Sequence, residues 1–476
     1  MMTIKTKYSG ILLFTILQVL LSLNLMGQNS DENPPNFVII FADDLGYGDL
    51  STYGNPTIHT PTLDRMAYEG QKWTNFYVGA SVCTPSRAAL LTGRLPVRSG
   101  MANNKTRVLF PNSKNGLPHK EITLAEQLKK AGYSTACIGK WHLGHKEQYL
   151  PTNNGFDYYF GIPYSNDMDK NPSIPYGDYW KQPNDSIKTE HFNVPLLRNT
   201  EIIERPANQN SITKRYSDET IKFIKENKDR PFFVYLAHNL PHIPLFVSKD
   251  FEGKSKRGLY GDVVEEIDHG IGNILKTLKE EGLEDNTIVV FTSDNGPWLP
   301  FKNNGGSAGL LRAGKGTTWE GGMREPAIFW GPGLIKSGLV SELGSTMDLF
   351  STFSSLAGVA IPKDRIIDGK DLSKTLLKRE TSPRNSILFY RGTELFAVRL
   401  GDFKAHYITQ GAYGEFGERK EHDPPLLFNL SHDASEKFDI AAQHPEVIEQ
   451  INALIASHNS NLVKGKDQLA EREGSN

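Results

Sequence analysis

Short apolar runs alternate along the chain with segments of helical periodicity. The runs cover residues 37–41, 134–139, 232–237 and 287–291, and each is continuous rather than alternating. Runs of this kind are typical of strands that are buried on both faces of a parallel sheet. Apolar residues at helical spacing occur in two separate segments. The first covers residues 122–131, and the second runs from Val263 to Leu278 and is followed by Gly282. The pattern predicts an α/β fold, with a large mixed, mostly parallel sheet sandwiched by helices.

The pattern changes after about Arg379. Residues 387–390, 396–400 and 403–408 predict a short antiparallel set of strands. A helix is predicted from Glu446 to about His458, and the charged residues after it are expected to form a frayed tail. We therefore predict a main domain over residues 28–379 and a smaller C-terminal α+β subdomain over residues 380–476.

The N-terminus has the pattern of a secretory signal peptide. Lys5 and Lys7 precede an apolar run over residues 11–25, and Gly27 comes just before a polar segment. We assign residues 1–27 to this peptide; a membrane anchor is the alternative, although the run is short and interrupted by polar residues. No later run approaches the length of about 20 apolar residues that crosses a bilayer, so we expect no span in the mature chain.

Composition excludes several classes of protein. Among the 476 residues, 38% are hydrophobic and 23% are charged, which excludes a disordered chain. The formal net charge of −2 gives no basis for binding nucleic acid. Two cysteines are too few for a disulfide scaffold. Cys137 lies in an apolar run and is expected to be buried, whereas Cys83 lies where a helix begins, close to Arg87. That position predicts a reactive thiol with a depressed pKa.

Oxygen-bearing side chains follow two of the apolar runs. Asp43 and Asp44 end the first run, and Asp294 and Asn295 end the last. Taken alone, the first pair is better explained as a helix cap or a turn than as a metal site. Because the carboxyl ends of parallel strands meet at one edge of a sheet, we expect the two pairs to be close together. Oxygen ligands of this kind suit Ca²⁺ or Mg²⁺ rather than zinc.

Cationic and imidazole groups follow the other runs. Lys140 and His142 come after the second run, His242 comes after the third, and Lys315 lies in a glycine-rich loop. Each has an ordinary alternative interpretation as a surface lysine, a hydrogen-bonded histidine or a flexible turn. Together with Arg87 and a divalent cation, they describe a pocket for a tetrahedral oxyanion.

The segment CTPSRAALLTGR, which begins at Cys83, resembles the sulfatase signature, in which the cysteine is oxidised to formylglycine. The resemblance extends over residues 36–441 and includes ADDLGYGDL, GKWHLG, GIPYSND, TSDNGP, GKGTTWEGG and LFAVRLGDFKAHYITQG. The last three of these, with GIPYS, are most similar to the branch that contains arylsulfatase A and N-acetylgalactosamine-6-sulfatase. An ordered set of motifs is far more specific than any one of them.

The resemblance implies a role for each candidate residue. One Ca²⁺ would be held by Asp43, Asp44, Asp294, Asn295 and the modified Cys83. Hydrated formylglycine would attack sulfur with one oxygen and release sulfate by collapse of the other. Arg87 and Lys140 would support this group, and His142 would accept its proton. His242 and Lys315 would contact the sulfate, with His242 as the general acid and His238 as a weaker substitute. Ser165, Asp167 and His406 would contact substrate, although a loop turn and a strand histidine are equally good interpretations of these positions.

The function that follows is a sulfuric ester hydrolase that removes O-sulfate from a carbohydrate. The branch favours exo action and a galactose-type sugar, with residues 169–205 and 411–423 shaping selection. The expected partners are the sulfated carbohydrate and a formylglycine-generating maturation enzyme. A signal peptide followed by a chain with few cysteines indicates that the protein is located in the bacterial periplasm or is secreted. The alternatives are a phosphatase or phosphonate hydrolase of the same fold, and a non-catalytic protein that binds sulfated glycans if Cys83 is not matured.

Overall fold

The computed structural model describes residues 34–174 and 187–474. The predicted signal peptide lies outside the described residues. Residues 35–476 group into one compact unit. Among the described residues, no helix combines the length and apolar character that a membrane span requires.

A ten-stranded mixed sheet forms the centre of this unit, with the order β10-β2-β9-β8-β1-β7-β3-β4-β5-β6. The strands are β1 Asn36–Ala42, β2 Gln71–Tyr77, β3 Ser134–Gly139, β4 Tyr158–Gly161, β5 Leu196–Arg198, β6 Glu201–Glu204, β7 Phe232–Ala237, β8 Thr287–Ser293, β9 Arg324–Trp330 and β10 Gly338–Ser345. The four central predicted strands, β8, β1, β7 and β3, are neighbours and run parallel. The prediction of a mostly parallel sheet is confirmed.

Strand β1 is buried on both faces, as its continuous apolar run predicts. Val38 and Ile40 point into one hydrophobic core, and Phe37 and Ile39 point into a second core on the opposite face. All four side chains are fully buried. Two cores are possible because helices cover both faces of the sheet.

The helices lie between and after these strands in the sequence. They are α1 Pro61–Glu69, α2 Cys83–Thr92, α3 Pro96–Ser99, α4 Leu124–Lys129, α5 Ile212–Glu226, α6 Leu259–Glu280, α7 Glu320–Met323, α8 Asp348–Leu356, α9 Ser373–Lys378 and α10 Pro445–Ser460. The three predicted helical segments, at residues 122–131, 263–278 and 446–458, correspond to α4, α6 and α10. Helix α4 is shorter than its pattern because a capping box at Thr123 and Glu126 sets where it begins.

The C-terminal part forms a four-stranded antiparallel sheet in the order β11-β12-β13-β14. Its strands are β11 Ser386–Arg391, β12 Glu394–Leu400, β13 Phe403–Thr409 and β14 Lys420–Asn429. The first three were predicted. Strand β14 was not, because it contains Pro424 and Pro425, and prolines are tolerated only where a strand lies at a sheet edge, as this one does.

The prediction of a frayed tail is wrong. Residues 461–474, which we call the C-terminal strap, run along the segment 97–114. Gly465 donates its N–H to the carbonyl of Val97 at 2.9 Å, and Glu473 donates to Asn112 at 2.7 Å. Leu469 is fully buried in the second core. Charge alone suggested a solvated tail, but one apolar side chain and the paired backbone anchor it.

Candidate active site

The carboxyl ends of four neighbouring strands bring the candidate residues together. Asp43 and Asp44 follow β1, and Asp294 and Asn295 follow β8, its neighbour. Lys140 follows β3, and the segment that contains His242 follows β7. The expected meeting of the two oxygen-bearing pairs is confirmed, because Asp44 N–H donates to Asp294 Oδ1 at 3.2 Å.

A group of potential metal ligands lies at this edge. Single ligand atoms of Asp43, Asp44, Cys83 and Asp294 all fall within 4.8 Å of one another. Asn295 donates its Nδ2 to Asp44 Oδ1 at 2.7 Å, and its buried Oδ1 has no hydrogen-bond partner in the described part of the chain. Asp44 has a φ of 63°, an uncommon value for a residue with a side chain. The donor set is therefore rich in oxygen and includes an unused amide oxygen.

Each of the three carboxylates is paired with its own fixed cation. Arg87 Nη2 lies 2.8 Å from Asp294 Oδ2, and Lys140 Nζ lies 2.6 Å from Asp43 Oδ2. The Lys315 ammonium lies 2.7 Å from Asp44 Oδ2. All of these side chains are buried or nearly so. These short contacts compensate charges that would otherwise be costly to remove from water.

The pKa values of the carboxyl groups diverge because their surroundings differ. Burial raises the pKa of Asp294 to about 7, and Asp43 adds to the rise against the effect of Arg87. Burial also raises the pKa of Asp44 to about 6, in spite of Lys315. Burial acts in the same direction on Asp43, but Lys140 and the other cations outweigh it and hold its pKa well below the usual range. Adjacent carboxyl groups thus compete for the available positive charge.

Cys83 begins helix α2, as predicted, but its thiol does not have the depressed pKa that its position suggested. Its Sγ lies 3.4 Å from Asp43 Oδ1. Burial raises the pKa of Cys83 well above its usual value, and the charges of Asp294 and Asp43 raise it further. The local signals of a helix N-terminus and a nearby arginine are outweighed by burial and by carboxylates that come from distant strands. Cys137 is buried in β3, as expected.

Lys140 is aimed into the site by a close approach between strands. Gly139 has a φ of 112°, and a Cβ there would lie 1.8 Å from the carbonyl oxygen of Ala237. Only glycine fits this position. Lys140 Nζ reaches Ser165 Oγ at 3.2 Å as well as Asp43, so Ser165 does lie at the site. Its neighbour Asn166 instead donates to Gln209 and Pro244.

His142 is held from two sides next to helix α2. Its Nε2 lies 2.9 Å from the carbonyl oxygen of Leu109, and its own carbonyl accepts from Thr84 Oγ1 at 3.0 Å. Its buried Nδ1 has no hydrogen-bond partner among the described residues. Burial and Lys140 hold the pKa of His142 well below its usual value. The ring is therefore neutral, and Nδ1 is the nitrogen left to exchange a proton.

His242 and Lys315 share a corner of the site. His242 Nε2 lies 3.6 Å from Asp44 Oδ2, while its Nδ1 lies 2.5 Å from the carbonyl oxygen of Ile243. A carbonyl accepts, so Nδ1 carries the proton and Nε2 faces the carboxylate. Burial and Lys315 hold the pKa of His242 below its usual range. Burial lowers the pKa of His238 to about 3, and its ring packs against Tyr216 at 6.1 Å.

Two predicted substrate contacts stay predictions. Asp167 is half-buried, two residues beyond Ser165. His406 is fully buried, with its Nε2 2.7 Å from Glu436 Oε1 and its ring 4.3 Å from that of Trp319. The sequence also missed Trp298, whose ring lies 4.0 Å from Lys315 Nζ. Its place directly after TSDNGP was the one available signal.

Two family models match the chain. The first, described as Sulfatase, covers residues 35–359. The second, described as the C-terminal region of aryl-sulfatase, covers residues 382–475.

Similar proteins carry related names. N-acetylgalactosamine-6-sulfatase of Canis lupus familiaris is 40% identical, and the match covers 95% of this chain and 91% of that protein. Arylsulfatase A of Homo sapiens is 41% identical over 92% of this chain and 91% of that protein. The crystal structure of Ps i-CgsB in complex with k-i-k-neocarrahexaose superposes with a TM-score of 0.75 at 31% identity, over 91% of this chain and 94% of that one.

Proposed function

The chain belongs to the sulfatase family and is a sulfuric ester hydrolase, and from this premise we propose that it removes O-sulfate from a sulfated carbohydrate with formylglycine and Ca²⁺. One observation carries the proposal. Cys83, the residue that matches the signature, has its Sγ within 4.8 Å of ligand atoms from Asp43, Asp44 and Asp294. A nucleophile made at this position would act beside a bound cation.

The residues fit a hard divalent cation. Three carboxylates and the unused Oδ1 of Asn295 form an oxygen-rich set, which Ca²⁺ prefers. Burial raises the pKa values of Asp44 and Asp294, so a bound cation would stabilise their charged forms. Asp43, Asp44, Asp294, Asn295 and residue 83 would hold the ion, which would polarise the sulfate ester oxygens.

Formylglycine at position 83, once hydrated, would supply one oxygen to attack sulfur and a second hydroxyl whose loss of a proton, with cleavage of the C–O bond to the sulfate, would regenerate the aldehyde and release sulfate. Burial and nearby carboxylates make the unmodified thiol of Cys83 a poor nucleophile, since its pKa is raised. The maturation enzyme is therefore a required partner in this proposal.

The chain's own residues would bind, orient and move protons. Lys140 Nζ, fixed by Asp43 and Ser165, would bind a sulfate oxygen, as would Lys315 Nζ. Arg87 would hold Asp294 in place through two donors. His142 would accept a proton at Nδ1. His242, whose Nε2 faces the site, would take up a proton there and deliver it to the leaving sugar oxygen.

The substrate class rests on the relatives. One relative is an N-acetylgalactosamine-6-sulfatase, and the solved structure is a complex with k-i-k-neocarrahexaose. Both relatives support a galactose-type sugar as the substrate. Ser165, Asp167 and His406 remain the candidate residues for contact with that sugar. We further propose exo action and export through residues 1–27 to the periplasm or medium.

Sulfate release from a panel of sulfated mono- and oligosaccharides, polymers and an aryl sulfate tests the proposal. The protein would be co-expressed with a maturation enzyme, with peptide mass used to verify formylglycine at position 83, and Cys83→Ser would be the control. Release by the wild type and none by the variant is expected. An aryl phosphate in the panel tests the phosphatase alternative. Faster release of phosphate than of sulfate, or no release from matured protein, would contradict the proposal.

A further inference from the structure

A cleft opens beside the N-terminus of helix α2, between the main sheet and the C-terminal sheet. Its enclosed volume is about 20 Å³, and the rest of the cleft is open to solvent. Ser81 and Val82, which directly precede Cys83, form one wall. Arg107 and Arg391 line the cleft from the segment 97–114 and from the end of β11. The cleft is therefore adjacent to the nucleophile position but is formed by residues that the catalytic assignment does not use.

Neither arginine has a carboxylate partner within the described ranges. Arg391 Nη1 donates to the carbonyls of Gln410 and Gly411 at 3.1 and 2.7 Å. Arg107 Nη2 donates to the carbonyl of Gly316 at 3.0 Å. Burial, followed by the charge of Arg107, lowers the pKa of Arg391 to about 10. Two guanidinium groups that face one cleft with only neutral partners create a local excess of positive charge.

This positive charge lies next to the loop that carries Lys315, because Arg107 donates to the carbonyl of Gly316. Gly316 follows Lys315, and a Cβ on Gly316 would lie 2.9 Å from Arg107 Nη1 and 3.0 Å from the ring of Tyr413. The Tyr413 ring in turn lies 5.0 Å from that of Trp298. Aromatic faces next to cationic groups are a common arrangement for binding anionic sugars, because the ring contacts the pyranose and the cation binds its acidic substituent.

We propose that Arg107 and Arg391 form a second anion subsite, which binds a sulfate or carboxylate on the sugar next to the one that loses its sulfate. This rests on the proposed function, since the scissile sulfate must lie between Lys140 and Lys315 for the neighbouring sugar to reach the cleft. Guanidinium groups bind either anion through paired N–H donors. The preferred substrate is then an oligosaccharide with a second acidic group rather than a monosaccharide.

Three disaccharides test the subsite. They share the sulfated sugar identified by the panel, and their second sugar is neutral, carries a carboxylate or carries a sulfate. Wild type, Arg391→Gln and Arg391→Lys would be compared on all three. Arg215→Gln is the matched control, because Arg215 does not line the cleft and already pairs with Glu204.

We expect kcat/KM of Arg391→Gln to fall about tenfold on an acidic disaccharide, mainly through KM, and to change little on the neutral one. Arg391→Lys should restore most of the loss, and added salt should reduce the preference of the wild type. The acidic disaccharide on which Arg391→Gln loses most kcat/KM shows whether the subsite prefers a carboxylate or a sulfate. Equal losses on all three disaccharides, or the same loss in Arg215→Gln, would overturn the subsite.

Binding separates this inference from the proposed function. Calorimetry on wild-type protein that retains Cys83 would measure the same three disaccharides without turnover. Tighter binding of an acidic disaccharide, weakened by Arg391→Gln, supports the subsite even if matured protein releases no sulfate. Equal affinity for all three would refute the subsite even if sulfate is released.

Discussion

Arg87 donates both Nε and Nη2 to a single oxygen of Asp294, at 3.1 and 2.8 Å. The two residues are 207 positions apart in the sequence and fully buried. Asp294 Oδ1 remains available to accept from the backbone of Asp44. Arg87 thereby fixes the Asp294 carboxylate, which connects the residues after β8 to Asp44 after β1.

Replacement of Arg87 by alanine should reduce both stability and activity. It leaves the Asp294 carboxyl group buried without its cation, which typically costs about 3–5 kcal/mol. Urea unfolding would measure the loss of unfolding free energy. The control is Arg215→Ala, which breaks a partly exposed pair with Glu204 and should cost about 1 kcal/mol or less. Equal losses in both variants would contradict the structural role of Arg87.

Removal of metal should lower both the activity and the thermal stability. Without a metal ion, Asp43, Asp44 and Asp294 hold single ligand atoms within 4.8 Å of one another. Dialysis against a calcium chelator should reduce Tm and reduce turnover at least about tenfold, and added Ca²⁺ should restore both. Asp294→Asn should weaken the recovery. If exhaustive removal, verified by metal analysis, leaves Tm and turnover unchanged, the calcium assignment fails.

The effect of replacing His242 on kcat should depend on the leaving group of the substrate. A sugar hydroxyl needs a proton as it leaves, and a phenolate needs it much less. His242→Ala should therefore lower kcat on a sulfated sugar by about 10²–10⁴ and affect an aryl sulfate far less. His238→Ala, measured in parallel, serves as the control. A larger leaving-group effect in that variant would transfer the role of general acid to His238.

The carboxyl group of Asp268 should make stability depend on pH. Its oxygens accept from the backbone of Thr62 and Leu63 at the start of α1, and burial raises its pKa from 3.8 to about 6. The folded state therefore binds more protons than the unfolded state between these values. Its contribution is complete below about pH 4, falls as pH rises to about 6, and is constant above.

The test compares the unfolding free energies of wild type and Asp268→Asn from pH 4 to 7. As pH rises across this range, the unfolding free energy of the wild type should fall relative to that of the variant by about 2–3 kcal/mol. Parallel pH profiles would show that Asp268 does not titrate in this window.

The C-terminal strap should support the active site from a distance. Leu469 anchors it, and the segment beneath it carries Leu109, whose carbonyl contacts His142. Leu469→Ala should cost about 2–5 kcal/mol of unfolding free energy and reduce turnover. Val463→Ala, at a side chain that is 77% exposed, should change neither. Full activity in a chain that lacks the strap would show that it supports the fold alone.

Much of the fold was predictable because its signals are local. Strands β3 and β7 begin and end where their apolar runs do, and β1 and β8 extend slightly beyond theirs. Strand β14 was missed because prolines obscure it. The catalytic and metal assignments came from motifs at strand ends, and the structure places most of those residues together. Their roles stay predictions until the variants are measured.

The sequence by itself determined which segments are buried strands, which chemical groups follow them, and which family the chain resembles, because run length and residue type are properties of neighbouring positions. Only the tertiary structure decided which cation pairs with which carboxylate, that Cys83 is a thiol of raised pKa, and that the strap is anchored. It also placed Arg107 and Arg391 in one cleft. These features depend on contacts between segments far apart in the chain, where burial and Coulomb interactions outweigh local preference.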